Sequence, residues 1–212
     1  MLSNKIYVNK KFYRRSSMIK NIIFDIGNVI LTFNRDFLLK HFYVGKDYDT
    51  LKEHLFKDWE MLDEDKISLS EYYEKVKNSL SPKLYSYAKS VLDNWEYYMS
   101  YNVGIIDLIR ELKSKGYKLY VLSNMTRHFI ERDYKFPILK EFDGIVYSAP
   151  IGLVKPDPKI YEYILNKYSL KAEQCIFIDD MKTNLAAAAR FGIKTYHYQS
   201  DTPALRDYIL SL

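Results

Sequence analysis

The stretch Phe24-Asp25-Ile26-Gly27-Asn28-Val29-Ile30 (FDIGNVI) closes a short apolar run that starts at Lys20 (KNIIFD). A run of this length, with β-branched residues and a glycine stop, reads as a strand buried on both faces. Such strands belong to parallel sheets covered by helices on either side. In open sheets of that kind ligands bind beyond the carboxyl ends of the strands. Asp25 therefore stands where chemistry is expected, and the rest of the chain can be read outward from it.

Downstream, from about residue 34 to 102, apolar residues recur at helical spacing and no strand is needed. Phe37, Leu38, His41 and Phe42, then Leu51, Leu55, Phe56 and Trp59, form candidate buried stripes. Ser68 with Glu71 reads as a capping box opening a helix to about Leu80, and Ser81 before Pro82 caps the next. Beyond Val103 helices and strands alternate. The helices are expected at Ile105–Lys115, Thr126–Tyr134, Asp157–Tyr168, Lys182–Phe191 and from Pro203 onward. The strands are expected at Tyr117–Ser123, Gly144–Ser148, Cys175–Asp179 and Ile193–Tyr198. Strands separated by helices predict crossovers and an α/β fold with a doubly wound, mainly parallel, Rossmann-like sheet. The helical block of about 70 residues after the first strand is far longer than an ordinary connection. It reads as an inserted all-helical cap at 34–102 on a core made of 18–33 plus 103–212.

Composition narrows the possible functions. The chain carries 32 Lys+Arg against 27 Asp+Glu, a formal charge of +5. Residues 1–17 hold Lys5, Lys10, Lys11, Arg14 and Arg15 and no acid, so this segment accounts for the whole excess. The remainder is formally neutral, which gives no support to a nucleic-acid groove. Residues 1–17 read as a basic N-terminal extension ahead of Met18, with an accessory strand or a targeting segment as the alternatives. No run approaches the roughly 18 apolar residues of a membrane span. A single cysteine, Cys175 in an apolar run, allows no internal disulfide and fits a reducing, cytoplasmic setting. His41, His54, His128 and His197 show no ligand spacing. Trp59 and Trp95 read as core rather than as pocket walls.

Four strand ends and loops collect polar residues: Asp25; Ser123 with Asn124; Lys155 within GLVKPDP; and Asp179 with Asp180. Acidic strand ends beside a lysine could hold a divalent cation and an anion together, and hard carboxylate oxygens favour Mg²⁺.

With these residues the sequence resembles the haloacid dehalogenase superfamily, in the branch with a helical cap between the first and second motifs. The motifs match in order as FDIGNVI, VLSN, GLVKPDPKIY and FIDDMKTN. The resemblance implies a Mg²⁺-dependent phosphatase in which Asp25 attacks phosphorus to form an aspartyl-phosphate that water then hydrolyses. It also implies that Lys155 and Ser123 are catalytic, and that Ser123, Asn124 and Lys155 hold the phosphoryl group. The expected metal ligands are Asp25, the carbonyl of Gly27, Asp180, and Asp179 as a second or water-mediated ligand, with Asn184 in support. The implied partner is a small phosphorylated metabolite, neither nucleic acid nor membrane.

One departure stands out. Most phosphatases of this superfamily carry a second Asp two residues after the nucleophile as general acid and base, and this chain has Gly27 there. The DxGNV pattern resembles a group of sugar-phosphate phosphatases, so the loss does not imply an inert protein. General acid–base help is worth about 10²- to 10⁴-fold, or roughly 3 to 5 kcal/mol of barrier. A substrate whose alcohol leaves readily, such as an anomeric sugar phosphate, would offset that loss. The rival readings are a haloacid dehalogenase-type C–halogen hydrolase, which would need no metal, and a non-catalytic member that binds phosphate or a partner. Asn28 and Arg35, just after the nucleophile, read either as substrate contacts or as braces of the cap junction.

Overall fold

The computed structural model describes residues 18–212, so the expectations for 1–17 lie outside the described residues. Along the chain, β1 (Asn21–Phe24) leads to a two-residue strand β2 (Leu31–Thr32) and then to five helices. These are α1 (Arg35–Phe42), α2 (Tyr48–Phe56), α3 (Trp59–Asp63), α4 (Leu69–Ser79) and α5 (Pro82–Asn94), followed by a 3₁₀ turn at Trp95–Tyr98. A second short strand, β3 (Ser100–Tyr101), precedes α6 (Ile105–Ser114) and β4 (Lys118–Ser123). Then come α7 (Arg127–Ile130), β5 (Gly144–Tyr147), α8 (Pro158–Lys167), β6 (Cys175–Asp179), α9 (Lys182–Ala189), β7 (Lys194–His197) and α10 (Thr202–Leu210).

The five longer strands form one sheet in the order β5-β4-β1-β6-β7, with every pairing parallel. The chain fills one side of β1 with β4 and β5 and then crosses back to lay β6 and β7 on the other. This is the reversal that opens a crevice at the strands' carboxyl ends. Register brings the motif residues level. Phe24 lies opposite Val121 on one side and Ile178 on the other, so Asp25 projects just beyond the pairing, beside Ser123 and Asp179.

Strand periodicity of two divides the core. Ile22, Phe24, Leu119, Val121, Ile176 and Ile178 face α6, α10 and the helical block. Ile23, Tyr120, Leu122, Cys175 and Phe177 face α8 and α9 through Ile160, Tyr161, Ile164 and Ala188. Cys175 is a free, buried thiol. Among the described residues no helix is long and apolar enough to cross a membrane.

The caps form as their sequences dictate. Ser68 and Glu71 exchange both bonds of a capping box, and Ser81 accepts from Leu84 N–H. Trp59 and Trp95 are buried at 4% and 3% exposure, their rings 5.5 Å apart, and Trp95 stacks on Phe129 at 6.1 Å. They join the helical block to the sheet layer, as core aromatics do.

Three local expectations are corrected. The block is not free of strands: β3 pairs antiparallel with β2 and zips together the two chain crossings between block and sheet. In α1 the buried pair is Leu38 and Leu39, while Phe37 is 62% exposed and His41 is also exposed. A helix of only two turns docked at one edge buries a narrower stripe than the spacing implied. The helix expected at Thr126–Tyr134 is a single α turn at Arg127–Ile130, capped by Thr126, followed by 3₁₀ turns at Asp133–Lys135 and Pro137–Glu141. Pro137 ends any continuation, and the tighter turns bury Phe136, Ile138 and Leu139.

Candidate active site

At the carboxyl edge of the sheet, Lys155 Nζ lies 2.8 Å from Asp25 Oδ1 and 2.8 Å from Asp179 Oδ2. All three groups are nearly inaccessible, with Lys155 at 4%, Asp25 at 7% and Asp179 at 0% exposure. A lysine between two buried carboxylates is an arrangement that survives burial because each charge faces its opposite. Burial pushes the Asp25 carboxyl up to about 6, although Lys155 pulls it down. Burial works against the Lys155 charge, but Asp25 and Asp179 outweigh it and hold the ammonium above its ordinary range.

The adjacent acids Asp179 and Asp180 have different surroundings. Asp179 Oδ1 accepts from Met181 N–H at 2.7 Å and Asn184 Nδ2 at 3.1 Å, while Oδ2 accepts from Lys155 and Asn184. Protein donors thus surround it. Asp180 meets a side-chain donor at Asn28 Nδ2, 3.0 Å from Oδ2, and lines the cavity. Burial raises its carboxyl above the usual range. Asp25, Asp179 and Asp180 each present an oxygen within 4.8 Å of the others. This cluster of hard oxygen donors fits a divalent cation of the Mg²⁺ type.

Ser123, buried at the end of β4, is a further hydrogen-bond partner of Asp25. Asn124 spends both ends of its amide on the backbone of Lys155: Oδ1 accepts from its N–H at 2.8 Å and Nδ2 donates to its carbonyl at 2.9 Å. It therefore fixes the loop that carries the lysine. Asn28 takes a left-handed backbone, φ 54°, which asparagine tolerates better than most residues. Its Oδ1 accepts from Phe33 N–H while Nδ2 orients Asp180, so of its two expected roles the geometry displays the brace. Gly27 borders the same space, and a Cβ placed on it would meet nothing within 4 Å.

Above this floor opens a cavity of about 900 Å³, whose far wall comes from the helical block. Arg35 of α1, Lys52 of α2, and Glu60 and Asp63 of α3 line it together with Phe33. Sequence reasoning anticipated Arg35 and missed Glu60, Asp63 and Lys52. These lie on helices at ordinary surface spacing, and no local signal separates them from solvated charges. Asp63 is distinctive, because burial pushes its carboxyl up to about 7.

A doubly wound sheet with an acid–lysine–acid cluster at the carboxyl ends of its central strands, covered by a helical insertion, defines a class of α/β hydrolases. The chain belongs to the haloacid dehalogenase-like hydrolase family, whose model matches residues 22–197. The D-ribitol-5-phosphate phosphatase of Bacteroides thetaiotaomicron is 27% identical over 192 residues, covering 84% of this chain and 91% of its own length. The sesquiterpene phosphatase astK of Aspergillus oryzae is 28% identical over 182 residues, or 84% of this chain and 89% of its own. The mouse acyl-CoA dehydrogenase family member 10 is 34% identical over 100 residues, but the match spans only 9% of that protein. Among solved structures, a family enzyme from Bacteroides thetaiotaomicron in complex with magnesium and inorganic phosphate shares the fold, with a TM-score of 0.68 at 22% identity. That match covers 86% of this chain and 96% of the other.

Proposed function

We propose that the chain is a Mg²⁺-dependent phosphatase that hydrolyses a small phosphorylated metabolite of the sugar or polyol phosphate class through an aspartyl-phosphate on Asp25. The observation that carries this reading is Lys155 bridging Asp25 and Asp179 at 2.8 Å beneath an open cavity. A carboxylate approaches an anionic phosphate only where charge is neutralised, and Lys155 supplies a fixed cation at the attacking oxygen. Asp25 and Asp180 would hold the metal with the Gly27 carbonyl, and Asp179 would chiefly aim Lys155. When bound, the ion supplies Lewis-acid stabilisation of phosphoryl charge. Ser123 places a hydroxyl where phosphoryl oxygens would sit, and Asn124 acts on substrate through the Lys155 loop.

In this reading the helical block, residues 34–102, is a cap on a core of 18–33 plus 103–212. Its mixed polar wall of Arg35, Lys52 and Glu60 suits a hydroxyl-rich leaving group better than an apolar one. The protein works in a reducing, cytoplasmic setting, in keeping with its buried thiol. The carboxylate cluster favours a metal-dependent phosphatase over a C–halogen hydrolase, which needs no cation.

The test is phosphate release from a panel of sugar, polyol, nucleotide and acid phosphates, with and without Mg²⁺, by wild type and Asp25→Asn. Hydrolysis that requires Mg²⁺ and disappears in Asp25→Asn is expected. Turnover of chloroacids insensitive to EDTA, or phosphate release that survives in Asp25→Asn, would remove the mechanism.

A further inference from the structure

When an alkyl phosphate is cleaved, the alkoxide leaving group needs a proton, and Gly27 has no side chain to give one. On the opposite wall, Asp63 closes α3 and lines the same cavity as Asp25, Ser123 and Lys155. Its backbone is pinned to the phosphate-binding edge of the sheet. The buried Ser148 hydroxyl donates to the Asp63 carbonyl at 2.5 Å and accepts from Met125 N–H at 2.9 Å, two residues beyond Ser123. The half-buried Asp63 carboxyl makes no hydrogen bond among the described residues, whereas the Asp25 and Asp179 carboxylates on the floor are both engaged. A carboxyl that shares a cavity with the nucleophile and has no hydrogen-bond partner of its own is free to exchange a proton.

We propose that Asp63 is the general acid and base of the reaction, supplied by the helical block in place of the absent acid beside the nucleophile. The inference rests on the proposed phosphatase reading. In the first step an Asp25 carboxylate oxygen forms a bond to phosphorus as the bond from phosphorus to the ester oxygen breaks. The Asp63 proton passes to that oxygen, so a neutral alcohol leaves. In the second step the Asp63 carboxylate takes a proton from water as the water oxygen bonds to phosphorus. The phosphorus–Asp25 bond breaks, inorganic phosphate is released, and both carboxyl groups return to their starting states.

The surroundings of Asp63 suit the task. Burial raises its carboxyl to about 7, with Arg35 and Lys155 pulling it down and Glu60 and Asp25 pushing it up. Lys52 of α2, Glu64 after α3, Asp36 of α1 and Asp180 line the same cavity, and Tyr72 of α4 interacts with Asp63. An acid with a value near the working pH both gives and takes a proton readily.

The decisive experiment compares glycerol 3-phosphate and ribose 5-phosphate, which need a proton on leaving, with 4-nitrophenyl phosphate, which does not. Asp63→Asn is expected to lower kcat/KM, which reads only the steps up to departure of the alcohol, by about 10²- to 10⁴-fold for the alkyl esters and by less than about tenfold for the aryl ester. The open space at Gly27 permits Gly27→Asp, and adding it to Asp63→Asn is expected to recover alkyl turnover. In wild type, kcat/KM for the alkyl esters should fall as pH rises through about 7 while that for the aryl ester does not; this readout needs no folded variant. Equal loss on both ester classes, no loss on either, or matching pH profiles would overturn the role of Asp63 and leave the phosphatase reading standing. Wild type inert toward all three esters, or Asp25→Asn still active on them, would overturn that reading and the inference with it.

Discussion

The floor and the far wall of the cavity hold their charges in opposite ways. On the floor, Lys155, Asp25 and Asp179 are buried and mutually paired, with Asn184, Asn124 and the Met181 N–H closing the network. On the wall, Arg35 and Glu60 are exposed and Asp63 is half-buried without a side-chain partner. A network fixed before substrate arrives is preorganised for charge stabilisation. Side chains still in contact with water are the ones that can adapt to a leaving group. The sheet edge is therefore built for charge stabilisation, and the helices for proton exchange and for meeting the leaving group.

The sharpest way to break this contrast is Lys155→Ala. It should lower kcat/KM by about 10²- to 10³-fold. It should also destabilise the metal-free fold by about 3–5 kcal/mol, because two buried carboxylates lose their cation. Kinetics and urea unfolding in EDTA measure both. Loss of activity with unchanged stability would mean that the floor is not held together by its ion pairs.

Glu96 tests the joint between wall and floor. It lies in the turn after α5 at 2% exposure and meets His128 Nε2, Arg132 Nε and Lys135 Nζ, each at 3.3 Å. Burial pushes its carboxyl up, but His128 and Lys135 win and leave it at about 2. The folded value is depressed, so the stabilisation is complete above the usual carboxylate range and is lost as pH falls toward 2. Glu96→Gln should cost on the order of 3 kcal/mol at pH 7, or about 6–12 °C in Tm. The two melting curves should converge as pH drops through 4 toward about 2. A gap that persists at low pH would show that shape rather than charge holds the joint.

The floor was legible in the sequence because strand ends are local features. An apolar run followed by Asp25, Ser123 or Asp179 states both the strand and the position of the polar residue beyond it, and parallel register brings those positions level. The bonds of Asn124 to the Lys155 backbone, 31 residues away in sequence, had no local signal. The wall was not legible. Asp63 stands in Trp59-Glu60-Met61-Leu62-Asp63-Glu64-Asp65, where alternating acids look like an ordinary solvated helix face. Only the tertiary docking of α3 against Ser148, just beyond β5, separates Asp63 from its neighbours. The same limit explains β2 and β3: two-residue strands carry no periodicity, and their pairing spans 68 residues.

Within the floor, Asp179 and Asp180 offer a finer comparison. Asp180→Asn should weaken Mg²⁺ binding by about tenfold or more while leaving the fold intact, since its carboxylate meets one side-chain donor and faces the cavity. Asp179→Asn should instead act mainly on stability by leaving the buried Lys155 with Asp25 as its one remaining carboxylate partner. Calorimetric titration of Mg²⁺ into each variant separates the two. A larger loss of metal affinity in Asp179→Asn would exchange the roles assigned to them.

The smallest expected effect comes from the part of the wall farthest from chemistry. Ser68 N–H donates to Glu71 Oε2 at 2.8 Å, and Glu71 N–H donates to Ser68 Oγ at 3.2 Å. Ser68→Ala removes one arm of this box and should cost about 1 kcal/mol, or about 2–4 °C in Tm. Tyr72, one turn into α4, donates to the Leu55 carbonyl at 2.6 Å and so ties this helix to α2, which carries Lys52 into the cavity. If α4 shapes only the leaving-group side of the wall, its loosening should shift KM among sugar phosphates and leave kcat for 4-nitrophenyl phosphate unchanged. A fall in kcat for the aryl ester would mean that α4 also positions Asp63 or the floor, and that the wall is not merely a surface for the leaving group.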